Sequence, residues 1–577
     1  MAARLTTFIV VAIVTVTLIA GLIVGAKRDD GGGPIDLIVY NGRVLGADGR
    51  PADADAVAVR GNVVVRVGKS RELRRLRRND TVEIDARGGS ILPGFNDAHL
   101  HFISGGLGLE RVNLLEATTL EQVKQAISTF AAANPQNPWV IGRGWVYEPF
   151  PGGLPTRQLL DELVPDRPAY MVAYDGHTAW VNTRALEIAG VTTKTANPPD
   201  GIVVKDPATG EPTGVLKEAA KGLVSKFMPE VTRQQQLRAL RRAIAAAHAV
   251  GLTSIQNAHG DADEFALYEE LQKAGELTIR VYTAFSVDDP ITDAEADTLD
   301  ALRAKYGNNP FFRTGAIKIM GDGVIESHTA AMLEPYTNAP TRGEPNLTDE
   351  QLRSIVTMMD KRGWQIMTHA IGDRAIRQAL DAYEHAANVN GPRERRHRIE
   401  HIETVDPADI PRFKALGVIA SMQPFHADPN PNLLNIWSVN IGEARAARGW
   451  IFGTFARGGA HVAFGSDWPV VTVDPRFGIN MALNRTTPEG TPPGGWHPQE
   501  KLALADVIAG YTSGAAYAQF DENTKGRLAP GQLADIVVMS KDLFALAPAR
   551  IMDAVVTHTI VDGKVVYVRG SDHGGTK

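Results

Sequence analysis

Cysteine is absent from all 577 residues of this chain. Its absence excludes disulfides, thiolate metal sites, a cysteine nucleophile and a lipid anchor on an N-terminal cysteine. An excess of either charge is missing as well. Lys and Arg number 60 against 66 Asp and Glu, a net charge of −6, and so small a balance over this length gives no electrostatic case for nucleic acid. Arg71 to Arg78 form the densest basic stretch, but Glu72 interrupts it and it reads as a solvated face. No Gly-x-Ser-x-Gly turn occurs, and no glycine-rich phosphate loop opens a helix after a strand, so a serine nucleophile and a nucleotide cofactor have no support. No repeat of solenoid period is visible. Hydrophobic residues at 44% and charged residues at 22% are those of a globular protein.

Long apolar runs are absent too, with one exception. Phe8 to Ala26 carries no charge, follows Arg4 and precedes Lys27-Arg28-Asp29-Asp30. A run of about 18 or more residues reads as a transmembrane helix. Val24-Gly25-Ala26 also offers the small residues of a signal-cleavage site. The expectation is a membrane anchor with the catalytic body outside the cytoplasm, periplasmic or at the cell surface. The alternative is secretion after cleavage. Residues 1–34 would then be anchor or signal plus tether.

The remaining apolar runs are short. The first is Ser90-Ile-Leu-Pro-Gly-Phe-Asn. Seven others begin at Thr253, Ile279, Gly315, Trp364, His397, Val418 and His461. Most are separated by helix-like stretches such as Asp349 to Lys361. Alternation of this kind predicts parallel βαβ units, and eight strands predict an α/β fold of the (β/α)8 TIM-barrel type. Before and after these runs lie short β-branched segments punctuated by Asn-Gly, Gly-Asn and Asp-Gly turns. They predict a small β-sandwich built from both chain ends. The expected boundaries are 35–89 and 526–577 for the sandwich and 90–525 for the barrel, with an insertion at about 105–245 after the first barrel strand. An insertion there emerges at the catalytic face of a barrel and should roof its pocket.

Asp97-Ala-His-Leu-His101 carries the chemistry. In extended chain the side-chain period is two, so His99 and His101 share a face and can bind one divalent cation, with Asp97 placed to fix a tautomer or bridge. Lys318, His369, His401 and Asp467 follow, each at or near the end of a later run, where barrel enzymes collect catalytic groups.

Taken together, Leu92-Pro-Gly-Phe-Asn-Asp-Ala-His-Leu-His, Asp175-Gly-His-Thr-Ala, Lys318-Ile-Met-Gly-Asp-Gly, His369-Ala-Ile-Gly-Asp-Arg-Ala, Arg398-Ile-Glu-His, Gly465-Ser-Asp-Trp-Pro and Gly526-Arg-Leu-Ala-Pro-Gly-Gln-Leu-Ala-Asp resemble the amidohydrolase superfamily. The likeness is to its amidohydrolase-3 group, which includes N-substituted formamide deformylases, and runs from about Asp36 to about Tyr567. The resemblance implies His99, His101 and Asp467 around a more buried metal and His369 with His401 around a second. It also implies that Lys318, whose ammonium cannot ligate a cation, is carbamylated into a bridging carboxylate. The competing reading pairs Lys318 with Asp322 or Glu326.

One or two divalent ions are expected, zinc being a suitable match for imidazole and carboxylate donors. A divalent ion brings the pKa of water toward neutrality and so makes a nucleophile. Asp467 is placed to take the proton and pass it to a leaving amine, the competing reading being a pure ligand without proton transfer. His177 either donates to the substrate carbonyl or caps its own loop. Trp145, Trp180 and Trp468 either wall the pocket or pack in cores, and His397 reads as a packing residue. The expected substrate is a small linear amide or N-acyl amine, with no nucleic-acid partner and with a homo-oligomer left open. Two alternatives stay open: a binding or scaffold protein that has lost turnover, and a metal-dependent isomerase or decarboxylase.

Overall fold

The computed structural model describes residues 33–571 apart from 47, 48, 116, 118, 148, 175, 177, 200, 288 and 327. At its centre are eight strands: β1 (Phe95–Leu100), β2 (Leu252–Gly260), β3 (Arg280–Ser286), β4 (Phe312–Met320), β5 (Gln365–Ala370), β6 (Arg398–His401), β7 (Ile419–Met422) and β8 (Val462–Phe464). They lie in sequence order and every neighbouring pair is parallel. The two ends of the sheet meet just past β8, where Asp467 N donates to His99 O at 2.7 Å and Ser466 N to Asp97 Oδ1 at 3.0 Å. The result is a nearly closed parallel barrel of TIM type. Gly465 permits this approach: a Cβ there would lie 2.4 Å from His99 N.

Buried on both sides, the strands read as near-continuous apolar runs rather than alternating ones, as parallel sheets require. All six residues of β1 and all six of β5 are buried. The helices start on sequence cues. Asp349–Lys361 is opened by a reciprocal cap between Thr348 and Gln351, and its apolar stripe of Leu352, Ile355, Val356 and Met359 packs inward.

The expected first strand divides in two. Ser90–Pro93 pairs with Ile536–Met539 in a sheet of the small domain, and only Phe95 onward joins the barrel. Gly94 is the break, because a Cβ there would fall 2.2 Å from Thr253 Oγ1. The small domain has a four-stranded and a five-stranded sheet. Their apolar faces share one core, with Leu37, Val39, Val57 and Ile84 from before the barrel and Ile536, Val538 and Ile560 from after it.

Between β1 and β2 the chain forms a six-stranded sheet with its own apolar cores. The helix Arg233–Ala249 then returns to β2. Arg143 Nη1 meets Pro469 O at 3.4 Å, and Tyr174 Oη donates to Asn432 Oδ1 at 3.0 Å. These contacts seat the insertion on the loops that follow β8 and β7, at the C-terminal face of the barrel. The apolar N-terminal run lies outside the described residues. Among the described residues no helix is long and apolar enough to cross a membrane.

Candidate metal centre

Strand ends bring the predicted residues to one place. His99 is on β1, Lys318 on β4, His369 on β5 and His401 on β6, while His101 and Asp467 sit just beyond β1 and β8. Asp467 is the common neighbour. Its Oδ1 lies 3.2 Å from His101 Nε2 and 3.6 Å from His99 Nε2, and its Oδ2 lies 4.0 Å from His401 Nδ1. Asp467 and His401 hold left-handed backbone angles, φ 60° and 75°, a cost of about 1–3 kcal/mol each that persists only where the surroundings over-determine it.

The histidines are set to act as ligands. His99 Nδ1 is 2.6 Å from Glu400 Oε2, and Glu400 is also bound by Arg398 Nε at 2.8 Å. Burial works to raise the Glu400 pKa, but the charges of Arg398 and His99 prevail and hold it at about 2. An ionised carboxylate only accepts, so the proton sits on Nδ1 and Nε2 points its lone pair at Asp467. Burial, then the charge of Lys318, lowers His99 to about 4 and His369 to about 3. Burial and the neighbouring His369 hold His401 well below the usual imidazole range. For Asp467 burial acts upward, yet the contact with His101 and the nearby imidazoles keep it well below the ordinary carboxylate range. Neutral imidazoles around an ionised carboxylate are what a divalent cation binds.

Orphaned atoms show the fit more directly. His99 Nε2, His426 Nε2 and Asp467 Oδ1 are buried without a hydrogen-bond partner. Leaving such atoms unsatisfied costs about 1–3 kcal/mol each, and one cation among them satisfies several at once. Two ligand sets share Asp467: His99 with His101, and His401 with His426.

His426 was not expected. It follows β7 in Met422-Gln-Pro-Phe-His, and its Nε2 is 3.7 Å from Asp467 Oδ2. Its ring stacks parallel to that of His401 at 6.2 Å. The strand-end rule applied to the other ligands would have found it. His259, at the end of β2, is a further such residue, its ring 6.3 Å from that of His101. Glu400 lacked any signal beyond its place in Arg398-Ile-Glu-His.

The remaining residues divide between expected and different places. Asp97 does not orient an imidazole: its Oδ1 accepts the backbone N–H groups of His99 and Ser466, both at 3.0 Å, and Glu400 orients His99 instead. His369 adjoins His401, rings 4.5 Å apart, but its Nε2 faces Gly323 O at 3.3 Å, and it is His426 that joins His401 and Asp467. Asp322 is engaged by the backbone amides of Ala331, Ile371 and Gly372 at 2.9–3.0 Å. Lys318 is buried, and its charge acts on His99, His369 and His401 together. Trp145 and Trp180 are fully buried in the insertion, so they are core, and His397 packs at 3.1 Å from Asp360. His177 lies outside the described residues.

A carboxylate shared by two imidazole pairs at the mouth of a parallel barrel is a donor set for a divalent metal, and the family match makes it that of a metal-dependent hydrolase. Residues 82–567 match the Amidohydrolase family, and the chain belongs to it. It is 32% identical over 546 residues to Protein LONG AFTER FAR-RED 3 of Arabidopsis thaliana, covering 92% of this chain and 91% of that one. With the N-substituted formamide deformylase of Arthrobacter pascens it shares 27% identity over 551 residues, 92% and 98% of the two chains. In fold it resembles an uncharacterized metal-dependent hydrolase from Pyrococcus horikoshii, with a TM-score of 0.70, 23% identity, and 89% and 99% of the chains covered.

Proposed function

We propose that the chain hydrolyses a non-peptide C–N bond in a linear amide or N-acyl amine, N-formyl amines among them. The observation that carries this reading is the convergence of His99 Nε2, His101 Nε2 and His426 Nε2 on the two oxygens of Asp467. The similarity to a formamide deformylase supports the bond type. His99, His101, His401, His426 and Asp467 would hold the divalent metal, with zinc the best match to these donors. When bound, such an ion acidifies water and polarises a carbonyl.

The protein's own groups do the rest. Water adds to the carbonyl carbon, the C–N bond breaks, and one proton must travel from the water to the departing nitrogen. Asp467 reaches both sides of the centre through its two oxygens, so it takes that proton and returns it to the amine. Glu400 keeps His99 in a single tautomer throughout. Lys318, buried near His99, His369 and His401, is assigned as a carbamylation site: a carbamate there would replace its positive charge with a further carboxylate donor for the metal, so the downward push of its ammonium on these imidazoles belongs to the unmodified lysine. The insertion, seated on the loops after β7 and β8, would limit the access of bulk water. The uncharged run from Phe8 to Ala26 is assigned as the membrane anchor, with the catalytic body outside the cytoplasm.

The test is a screen of N-formyl, N-acetyl and longer N-acyl amines with zinc-loaded protein, metal-stripped protein and Asp467→Asn. Amine release is expected from the loaded wild type alone, with Asp467→Asn slower by about 100-fold or more. Turnover by stripped protein, or equal turnover by the variant, would remove this mechanism.

A further inference from the structure

Among the described residues the buried arginines meet a carboxylate or several carbonyls, and two half-buried arginines of the insertion do neither. Arg398 pairs with Glu400 at 2.8 Å, Arg280 with Asp535 at 2.7 Å and Arg396 with Glu522 at 2.8 Å. Arg485, fully buried, is satisfied by the carbonyls of Trp496, Trp450 and Gly449. Arg111 and Arg143 are different. Both are half-buried in the insertion, and among the described residues neither meets a carboxylate. Arg143 makes a single long contact, to Pro469 O at 3.4 Å. For Arg111 no side-chain hydrogen bond is formed among the described residues.

The backbone holds these two cations on adjacent strands, with Arg111 two residues before Asn113, the partner of Arg143. Arg143 lies on the strand Val140–Trp145, whose partner strand Val112–Asn113 begins immediately after Arg111. The register is Val112 with Gly142 and Asn113 with Arg143. On the other side Val172 faces Arg143 and Ala173 faces Trp145, so Gly144 is an extra residue in the strand. Gly144 has φ 96°, and a Cβ on it would come within 2.7 Å of Leu115. Bulges of this kind re-aim a side chain, often next to an active site. Here the bulge directs Arg143 to the loop after β8. Burial first, then the charge of Arg143, lowers Arg111 from the usual range, and burial lowers Arg143 while Asp467 acts against it.

Pro469 is two residues from Asp467, a chain distance of at most about 7 Å. A group bound at Arg143 is therefore within one small molecule of the proposed proton carrier. Two neighbouring guanidinium groups that form no ion pair among the described residues, with Asp467 acting on Arg143 only at a distance, match a carboxylate, which they can grip with paired N–H donors. Resting on the hydrolase reading above, we infer that Arg111 and Arg143 form the anion-binding wall of the site and that the substrate is an N-acyl amine bearing a carboxylate close to the scissile bond, an N-acyl amino acid in chemical class.

The test compares matched pairs, an N-acyl amino acid against its primary carboxamide, in wild type, Arg143→Gln, Arg111→Gln and Arg143→Lys. In wild type the carboxylate substrate is expected to have the higher kcat/KM by about 10- to 100-fold. Either Gln variant should lose that preference, with KM for the carboxylate substrate rising well beyond any change for its neutral partner, and Arg143→Lys should restore part of it. No preference in wild type, or an equal fall on both substrates, would overturn the inference. A second measurement is independent of turnover: thermal-shift titration of the zinc-loaded chain with acetate and succinate, and separately with inorganic phosphate. Carboxylate binding by wild type that both Gln variants lose upholds the wall even if no amide is cleaved, in which case the hydrolase reading fails alone. Binding of phosphate but not carboxylate, or of neither, overturns the assignment.

Discussion

His99 and Glu400 form a fully buried pair, Nδ1 to Oε2 at 2.6 Å, directly beneath the candidate metal site. The carboxylate is in turn fixed by Arg398, whose guanidinium also donates to Ala98 O at 2.6 Å and Ser421 Oγ at 2.8 Å. Orientation of His99 thus depends on a chain of contacts that reaches β7. Glu400→Gln should lower zinc affinity by about 10- to 100-fold, the usual effect of losing a carboxylate behind a ligating histidine. It should also destabilise the fold, by up to about 3–5 kcal/mol, because Arg398 is left as a buried charge without its partner. Competition with a chelator gives the first quantity and denaturant unfolding the second. Unchanged affinity would mean that the tautomer of His99 is fixed by something else.

The proposed carbamylation of Lys318 bears on how many ions the site would hold. If it is carbamylated, protein loaded with zinc and bicarbonate should contain about two equivalents of metal, falling toward one in Lys318→Ala or when carbon dioxide is excluded. Elemental analysis of the three preparations decides this. About one equivalent in all of them would leave a mononuclear centre with Lys318 as a charged neighbour of His99, His369 and His401.

The barrel was readable because parallel strands buried on both faces leave apolar runs, and helices of the Asp349–Lys361 kind announce themselves by cap and stripe. His99 and His101 were readable because period-two spacing puts both on one face. What failed depended on contacts distant in sequence. Gly94 divides an apolar run because of Thr253, more than a hundred residues away, and nothing local signals that clash. Asp97 was assigned an imidazole only because it was near in sequence, whereas Glu400, on the far side of the barrel, performs that role. His426 was missed for another reason: the same strand-end logic was available and the short β7 carries it four residues past its end.

His426 separates a shared second site from a mere pocket wall. Its Nε2 has no hydrogen-bond partner and faces Asp467 Oδ2 at 3.7 Å. His426→Gln should remove metal from the set it shares with His401 while leaving the His99 and His101 set filled, and should slow turnover by about 100-fold. The paired measurements are metal content and kcat on the same preparation. Full metal content with reduced kcat would assign His426 to substrate or proton handling instead, and no change in either would place it outside the centre.

Stability should carry a pH signature from a carboxyl group away from the metal centre. Glu264 is buried on the helix Ala262–Lys273, where Asn257 Nδ2 donates to it at 2.9 Å and Tyr268 Oη donates to its other oxygen. Burial raises its pKa to about 8, outweighing those two hydrogen bonds, which act downward. In the unfolded chain it titrates near the ordinary value of 4.5. Between these values the native state keeps a proton that the unfolded state has lost, so stability is greatest below about pH 4.5 and declines as pH rises toward about 8. Asp97 and Asp322, both raised to about 7 by burial, act in the same direction, so the informative quantity is a difference between variants. Glu264→Gln keeps an acceptor for Tyr268 and cannot ionise. Its melting temperature should therefore fall less than that of the wild type between pH 5 and pH 8, with the two closest at the acidic end. Parallel declines would show that Glu264 is ionised in the native protein and that its hydrogen bonds prevail over its burial.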